Sequence, residues 1–201
     1  KILTMLENDG KYSEWQANVF AERMNMYRLK QMDEDFRKAE VYSDTAYVGR
    51  DCFPVVYYEK GVEYFVKQDY SNARLYFGKA RSPANPVSKK SGEIYKVLDQ
   101  WNRKRASIIP KQKKIAENKT LSEEENAEFA LDMYEMGRVQ EQLGNMDSAE
   151  YYYETSTTLT RPENIESARY YYTYARFLEK KAPLKSDSIM EMLVERYPFT
   201  D

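Results

Sequence analysis

The sequence predicts an all-α chain built from repeated helical hairpins, and three observations carry that prediction. Glycine and proline number 7 each among 201 residues, well below the roughly 12% they contribute to average proteins, so helix breakers are sparse. Helix starts recur as capping boxes, in which a hydroxyl meets an orphan backbone N–H and a Glu or Gln three residues on returns the bond. Self-similarity returns at offsets of 34 and 76 residues, as expected of an array of supersecondary units. No Asn-Gly or Asp-Gly lies between alternating apolar runs, so nothing reads as a β-hairpin.

The elements follow in order. Ser13 with Gln16 opens a first hairpin over about 13–48, and Pro54 just after Cys52 opens a second over about 54–84. A middle hairpin is expected at about 88–119, although residues 101–105 offer no turn, so it is degenerate or lengthened. Ser122 with Glu125 caps a fourth over about 122–159. Thr160 with Glu163, across Pro162, begins a last one over about 162–198. There Ala182-Pro183-Leu184-Lys185 reads as a loop and Ser186 as the N-cap of the final helix.

Phe36 and Tyr70, Ala39 and Ala73, and Ala46 and Ala80 each stand 34 residues apart. The second unit runs Tyr57, Gly61, Tyr64, Tyr70, Ala73, Phe77, Ala80, Pro86. Seventy-six residues on, the same slots hold Met133, Gly137, Gln140, Met146, Ala149, Tyr153, Ser156 and Pro162. Small residues at Gly61 or Gly137 and at Ala73 or Ala149 let helices approach, Phe77 or Tyr153 fills the space between hairpins, and Gln68-Asp69 or Gly144-Asn145 turns the chain. In this order of slots the chain resembles the tetratricopeptide repeat family. The resemblance implies a right-handed solenoid of four to five antiparallel hairpins in a single domain over 1–201, binding a peptide or partner helix on a concave face lined by first helices. Carried over slot by slot, that face takes Tyr58, Val62, Phe65 and Val66 from one unit and Tyr134, Arg138, Glu141 and Gln142 from the other: an apolar wall and a charged one.

Composition excludes several chemistries. Histidine is absent and Cys52 is the one cysteine, which removes Ser-His-Asp and Cys-His systems, intrachain disulfides and multi-cysteine zinc sites. No catalytic residue, metal site or cofactor is expected. Mean hydropathy is −0.84, and no run reaches the roughly 18 apolar residues of a spanning helix. Glu123-Glu124-Glu125 reads as a first-turn carboxylate run set by capping and the helix dipole. Six of the 19 tyrosines form the runs 151–153 and 170–172, where consecutive side chains on a helix point three ways.

A formal charge of −2 argues against a globally basic nucleic-acid binder, yet residues 89–119 carry ten Lys/Arg against Glu93, Asp99 and Glu117. Arg103, Lys104, Arg105, Lys111, Lys113 and Lys114, beside Trp101, form a candidate basic patch for an anionic membrane surface, RNA or an acidic partner. The expected function is thus a non-enzymatic protein-interaction scaffold within a larger complex. The alternative is a structural or accessory subunit, because residues 188–201 resemble the helix-then-Tyr-Pro-x-Ser/Thr junction of bacterial periplasmic repeat proteins, including outer-membrane assembly lipoproteins of the BamD type. That likeness implies a periplasmic, outer-membrane-associated location, against a cytoplasmic alternative. The start at Lys1, with no initiator Met or signal-like segment, reads as a fragment of a longer chain.

Overall fold

The computed structural model describes residues 13–48, 50–82, 86–160 and 165–197. Regular structure among them is entirely helical: α1 (Ser13–Leu29), α2 (Asp33–Ala46), α3 (Phe53–Val66), α4 (Tyr70–Lys79), α5 (Ser88–Ala116), α6 (Glu123–Gln142), α7 (Met146–Leu159), α8 (Ile165–Leu178) and α9 (Pro183–Arg196). The chain forms two compact units, Lys1–Leu98 and Asp99–Asp201, divided inside α5. The first contains the helix pairs α1/α2 and α3/α4, the second α6/α7 and α8/α9.

Three of these pairs are joined by the same turn. Gln31, Gln68 and Gly144 take a left-handed backbone, with φ of 56°, 58° and 79°, and the residue after each is the N-cap of the next helix. The hydrogen bonds repeat as well. The amides of Gln68 and Asp69 donate to the carbonyls of Phe65 and Tyr64, and those of Gly144 and Asn145 to Glu141 and Gln140. These bonds satisfy carbonyls that a helix end would otherwise leave orphaned. At Asp69 the side chain adds a cap, accepting from the Asn72 amide at 3.2 Å.

Within the two best-matched pairs an aromatic ring fills a glycine notch. A Cβ built on Gly61 would lie 3.1 Å from the Phe77 ring, and one on Gly137 only 2.6 Å from Tyr153. Phe77, Tyr153, Ala73 and Ala149 are all buried. The small slots and the offset of 76 residues are as expected, but each ring fills the notch of its own hairpin rather than the space between hairpins. The Ser122–Glu125 capping box is formed in both directions, and the tyrosine runs divide as expected: Tyr151 and Tyr172 face solvent while Tyr153 and Tyr170 are core.

Three expectations are corrected. The turn residues of the first two pairs stand 37 residues apart, not 34, so Phe36, whose amide donates to Met32, occupies the slot of Ala73, whose amide donates to Asp69. Burial agrees: Ala46 is exposed although Ala80 is buried, and Ser43, 37 residues before Ala80, is buried. Three residues is close to one helical turn, so a register wrong by that amount still keeps apolar residues on one face. In place of the hairpin at 88–119 stands the single 29-residue helix α5. Its stretch from Trp101 to Arg105 has no breaker, and Pro110 removes one backbone donor without ending the helix. Ser186 is not a cap either. α9 starts at Pro183, in its first turn, and the buried Ser186 hydroxyl donates to the Ala175 carbonyl of α8 at 2.8 Å. Pro162 and Glu163, and the side chain of Ser13, lie outside the described residues; Thr160 donates back to the Thr157 carbonyl at 3.0 Å.

The two notches predict different responses to one added methyl group. Alanine gains about 1 kcal/mol of helix propensity over glycine, while overpacking a well-filled core costs about 1–3 kcal/mol. Gly61→Ala should therefore be near neutral. Gly137→Ala should lose about 1–2 kcal/mol in urea unfolding, because Tyr153 is fully buried and its hydroxyl is held by Glu141 at 2.7 Å.

Candidate protein-interaction faces

In the first unit, α3 presents the expected residues as a layer over Phe77. The Tyr58 ring lies edge-on to Phe77 at 5.6 Å, and Phe65 packs against Tyr70 at 5.7 Å and Phe77 at 6.4 Å. Tyr58, Val62 and Phe65 are half-buried, while Val66 is 76% exposed. Part of this apolar surface is thus open and part supports the hairpin.

The other side of the same hairpin anchors it. The buried Lys60 ammonium donates to Asp33 at 3.0 Å, lies 3.4 Å from Glu63 and sits over the Phe36 ring at 5.1 Å. Arg28 reaches Glu63 at 2.6 Å. The Tyr57 hydroxyl donates to Asp44 at 2.9 Å, and Lys79 bridges Glu40 and Asp44 at 2.7 and 2.6 Å. The hydrogen bond from Lys60 holds the Asp33 carboxyl below its ordinary value. Burial, reinforced by nearby acids, pushes the Tyr57 and Tyr76 hydroxyls up, so both stay neutral donors.

In the second unit the four expected residues separate. Tyr134 is only 4% exposed. Its ring meets Tyr170 at 4.8 Å, and the Arg169 guanidinium lies over it at 5.3 Å while donating to its hydroxyl at 3.2 Å. Tyr134 is therefore packing between α6 and α8 and not part of an open face, since α8 covers its slot. Glu141 accepts from the Tyr153 hydroxyl. Arg138 and Gln142 are exposed, and with Gln100, Lys104, Glu135 and Val139 they line a polar groove of about 230 Å³ between α5 and α6.

The basic patch is largely neutralised. Lys104, Ser107, Lys111 and Lys114 lie along one face of α5, and Glu135, Asp132, Glu128 and Glu125 meet them in antiparallel register from α6. Lys104 pairs with Asp132 at 3.1 Å and with Glu135. Ser107 donates to Asp132 at 2.6 Å, Lys111 reaches Asp132 at 2.8 Å and Glu128 at 3.4 Å, and Lys114 pairs with Glu125. Arg103 bonds Asp99 at 2.6 Å, Lys113 lies 3.9 Å from Glu117, and Arg105 sits over Trp101 at 5.3 Å. All six residues of the patch thus have partners within the second unit. The acidic stripe of α6 was overlooked in the sequence, although its spacing of three, four and three residues mirrors that of α5.

Asp132 is the hub of this zipper and is 7% exposed. Burial is the strongest influence on its carboxyl and acts upward, but the bonds from Lys111, Ser107 and Lys104 together outweigh it and hold the group below its ordinary value.

Among the described residues no group of three or more His, Cys, Asp or Glu side chains is placed to hold a metal, and no helix is long and apolar enough to cross a membrane. Cys52 stands half-buried at the start of α3, and burial pushes its thiol up, away from the reactive thiolate. Comparison with protein-family models, curated proteins and solved structures gives no match.

The depressed Asp132 carboxyl fixes a sign for acid behaviour. Its contribution is complete above the unfolded carboxylate value, about 3.9, and is lost as pH falls through the lower folded value. Asp132→Asn should therefore be less stable than the parent by about 2 kcal/mol at pH 7. Urea titrations repeated at falling pH should show that difference shrinking only below about pH 4.

Proposed function

We propose that the chain is a non-enzymatic protein-interaction scaffold of the tetratricopeptide repeat type, a right-handed solenoid whose first helices offer the binding surface. The observation that carries this reading is the apolar surface of α3, where Val66 is 76% exposed beside half-buried Phe65, Val62 and Tyr58. The identical turns and glycine notches of α3/α4 and α6/α7 support the repeat assignment. Slot for slot, α6 offers Arg138 and Gln142 on the rim of a polar groove. A partner helix or extended peptide with apolar side chains suits the α3 surface, and one with acidic or amide side chains suits the rim on α6.

A second reading makes the chain an accessory subunit of a bacterial envelope assembly at the outer membrane. It is favoured by residues 188–201, of which 198–201 lie outside the described residues, and by the apolar groove of about 550 Å³ on α8/α9. A cytoplasmic scaffold would carry the same faces.

Phe65→Asp separates a binding face from core. Affinity purification from the native host with quantitative mass spectrometry should show the partners of the parent depleted at least tenfold for this variant, with helical circular dichroism close to that of the parent. Retained partners would remove α3 from the binding surface, and collapse of the helical signal would make Phe65 core.

A further inference from the structure

We propose that the polar groove between α5 and α6 is a carboxylate slot, in which Arg138 takes one acidic side chain of a bound peptide while Gln100 and Gln142 hold that peptide's backbone. The slot lies on the α6 surface of the scaffold reading above and depends on that reading. The register of the lysine–acid zipper locates it. On α5 the zipper steps back through Lys114, Lys111, Ser107 and Lys104, and on α6 it steps forward through Glu125, Glu128, Asp132 and Glu135. Steps of three or four residues keep each set on one helix face. Every step sets a donor of α5 against a carboxylate of α6.

The next step breaks the pattern. Four residues before Lys104 stands Gln100, and three and seven residues after Glu135 stand Arg138 and Gln142. Where α6 would present another carboxylate it presents a guanidinium, and the wall opposite carries an amide. A groove is left there. Gln100, Lys104, Glu135, Arg138 and Gln142 line its volume of about 230 Å³, with the buried Val139 as the apolar part of the wall. The three residues that break the zipper are exposed, and among the described residues their side chains make no hydrogen bond or ion pair.

The acids nearby are committed elsewhere. Glu135 is taken by Lys104, Asp132 accepts from Lys104, Ser107 and Lys111, and Glu141 accepts from the Tyr153 hydroxyl at 2.7 Å. Lys104 is thus divided between two carboxylates, while the planar fork of Arg138 is left for a carboxylate from outside. Glu135 shares the wall with Arg138 and repels a ligand that is acidic along its whole length, so the slot suits one carboxylate with neutral neighbours. Peptide groups are such neighbours. A glutamine side chain offers a carbonyl acceptor and two amide donors, which match the N–H and C=O of an extended backbone, and each helix places one beside the slot. The volume of about 230 Å³ equals the share of roughly eight waters at about 30 Å³ each. That is room for one residue with its flanking peptide groups and not for a folded element.

The test titrates N-acetylglutamate N-methylamide, one acidic residue between two peptide groups, into the isotope-labelled chain and follows it by NMR. The side-chain amide signals of Gln100 and Gln142 and the guanidinium signal of Arg138 should shift together and saturate at millimolar probe. The blocked glutamine, which lacks the charge, and acetate, which lacks the peptide groups, should each bind at least fivefold more weakly. Arg138→Gln should weaken the blocked glutamate at least tenfold, and Arg138→Lys should recover only part of that loss, since it restores the charge without the fork. Lys113→Gln, on the exposed side of α5, should change nothing, and circular dichroism checks that each variant is folded. No saturable shift at the two glutamines, or an unchanged affinity in Arg138→Gln, would overturn the proposal. Blocked glutamine or acetate binding as tightly as blocked glutamate would overturn it too, by removing the carboxylate or the peptide groups from recognition. None of these outcomes bears on α3, whose role Phe65→Asp decides, so failure of the slot is distinguishable from failure of the scaffold reading.

Discussion

The packing of an aromatic ring into a glycine notch is the interaction on which the rest of the fold depends. Two antiparallel helices with ordinary side chains at their contact stand about 8–10 Å apart. Removing the Cβ at Gly61 or Gly137 admits a whole ring from the paired helix, and the small Ala73 and Ala149 keep that helix close. With each pair set this way, the short left-handed turn at Gln68 or Gly144 is long enough to close it. The surfaces that follow from this geometry include the half-buried α3 layer, which rests directly on Phe77.

Charge does a different job between α5 and α6. The two helices are joined by long side chains meeting in register, with Asp132 accepting from Lys104, Ser107 and Lys111. Long polar links keep helices further apart than a glycine notch does, and a polar groove lies between them, lined by Gln100 and Arg138 among others. The locally basic α5 is thus compensated by the acidic face of α6. A high count of lysines in a segment is a statement about its neighbours as much as about its ligands.

What the sequence disclosed, and what it concealed, follows from the range of the forces involved. The recurrence of a small slot at Gly61 and Gly137 and a large one at Phe77 and Tyr153 was legible at one spacing, but that the ring enters the notch of its own hairpin was not, because spacing alone does not say which helix a side chain meets. The start of α9 was misread: Pro183 suits a first helical turn, but Ser186 offered a competing cap, and its hydroxyl is in fact used across the hairpin. The register of α2 was misread because a shift of three residues barely changes a helix face. Tyr134 was assigned to a surface because no local pattern tells which later helix covers a slot; its cover, Tyr170, is 36 residues away. The zipper needed two stripes to be compared across the turn at Asn118, not one segment to be counted.

The account stands on the claim that ring and notch are fitted to one another. A double-mutant cycle between Gly137→Ala and Tyr153→Leu, read by urea unfolding, tests that claim most directly. If the ring occupies the notch, the loss caused by alanine in the parent should vanish, or become a gain of about 1 kcal/mol, once the ring is gone. An alanine effect of the same size in both backgrounds would contradict it.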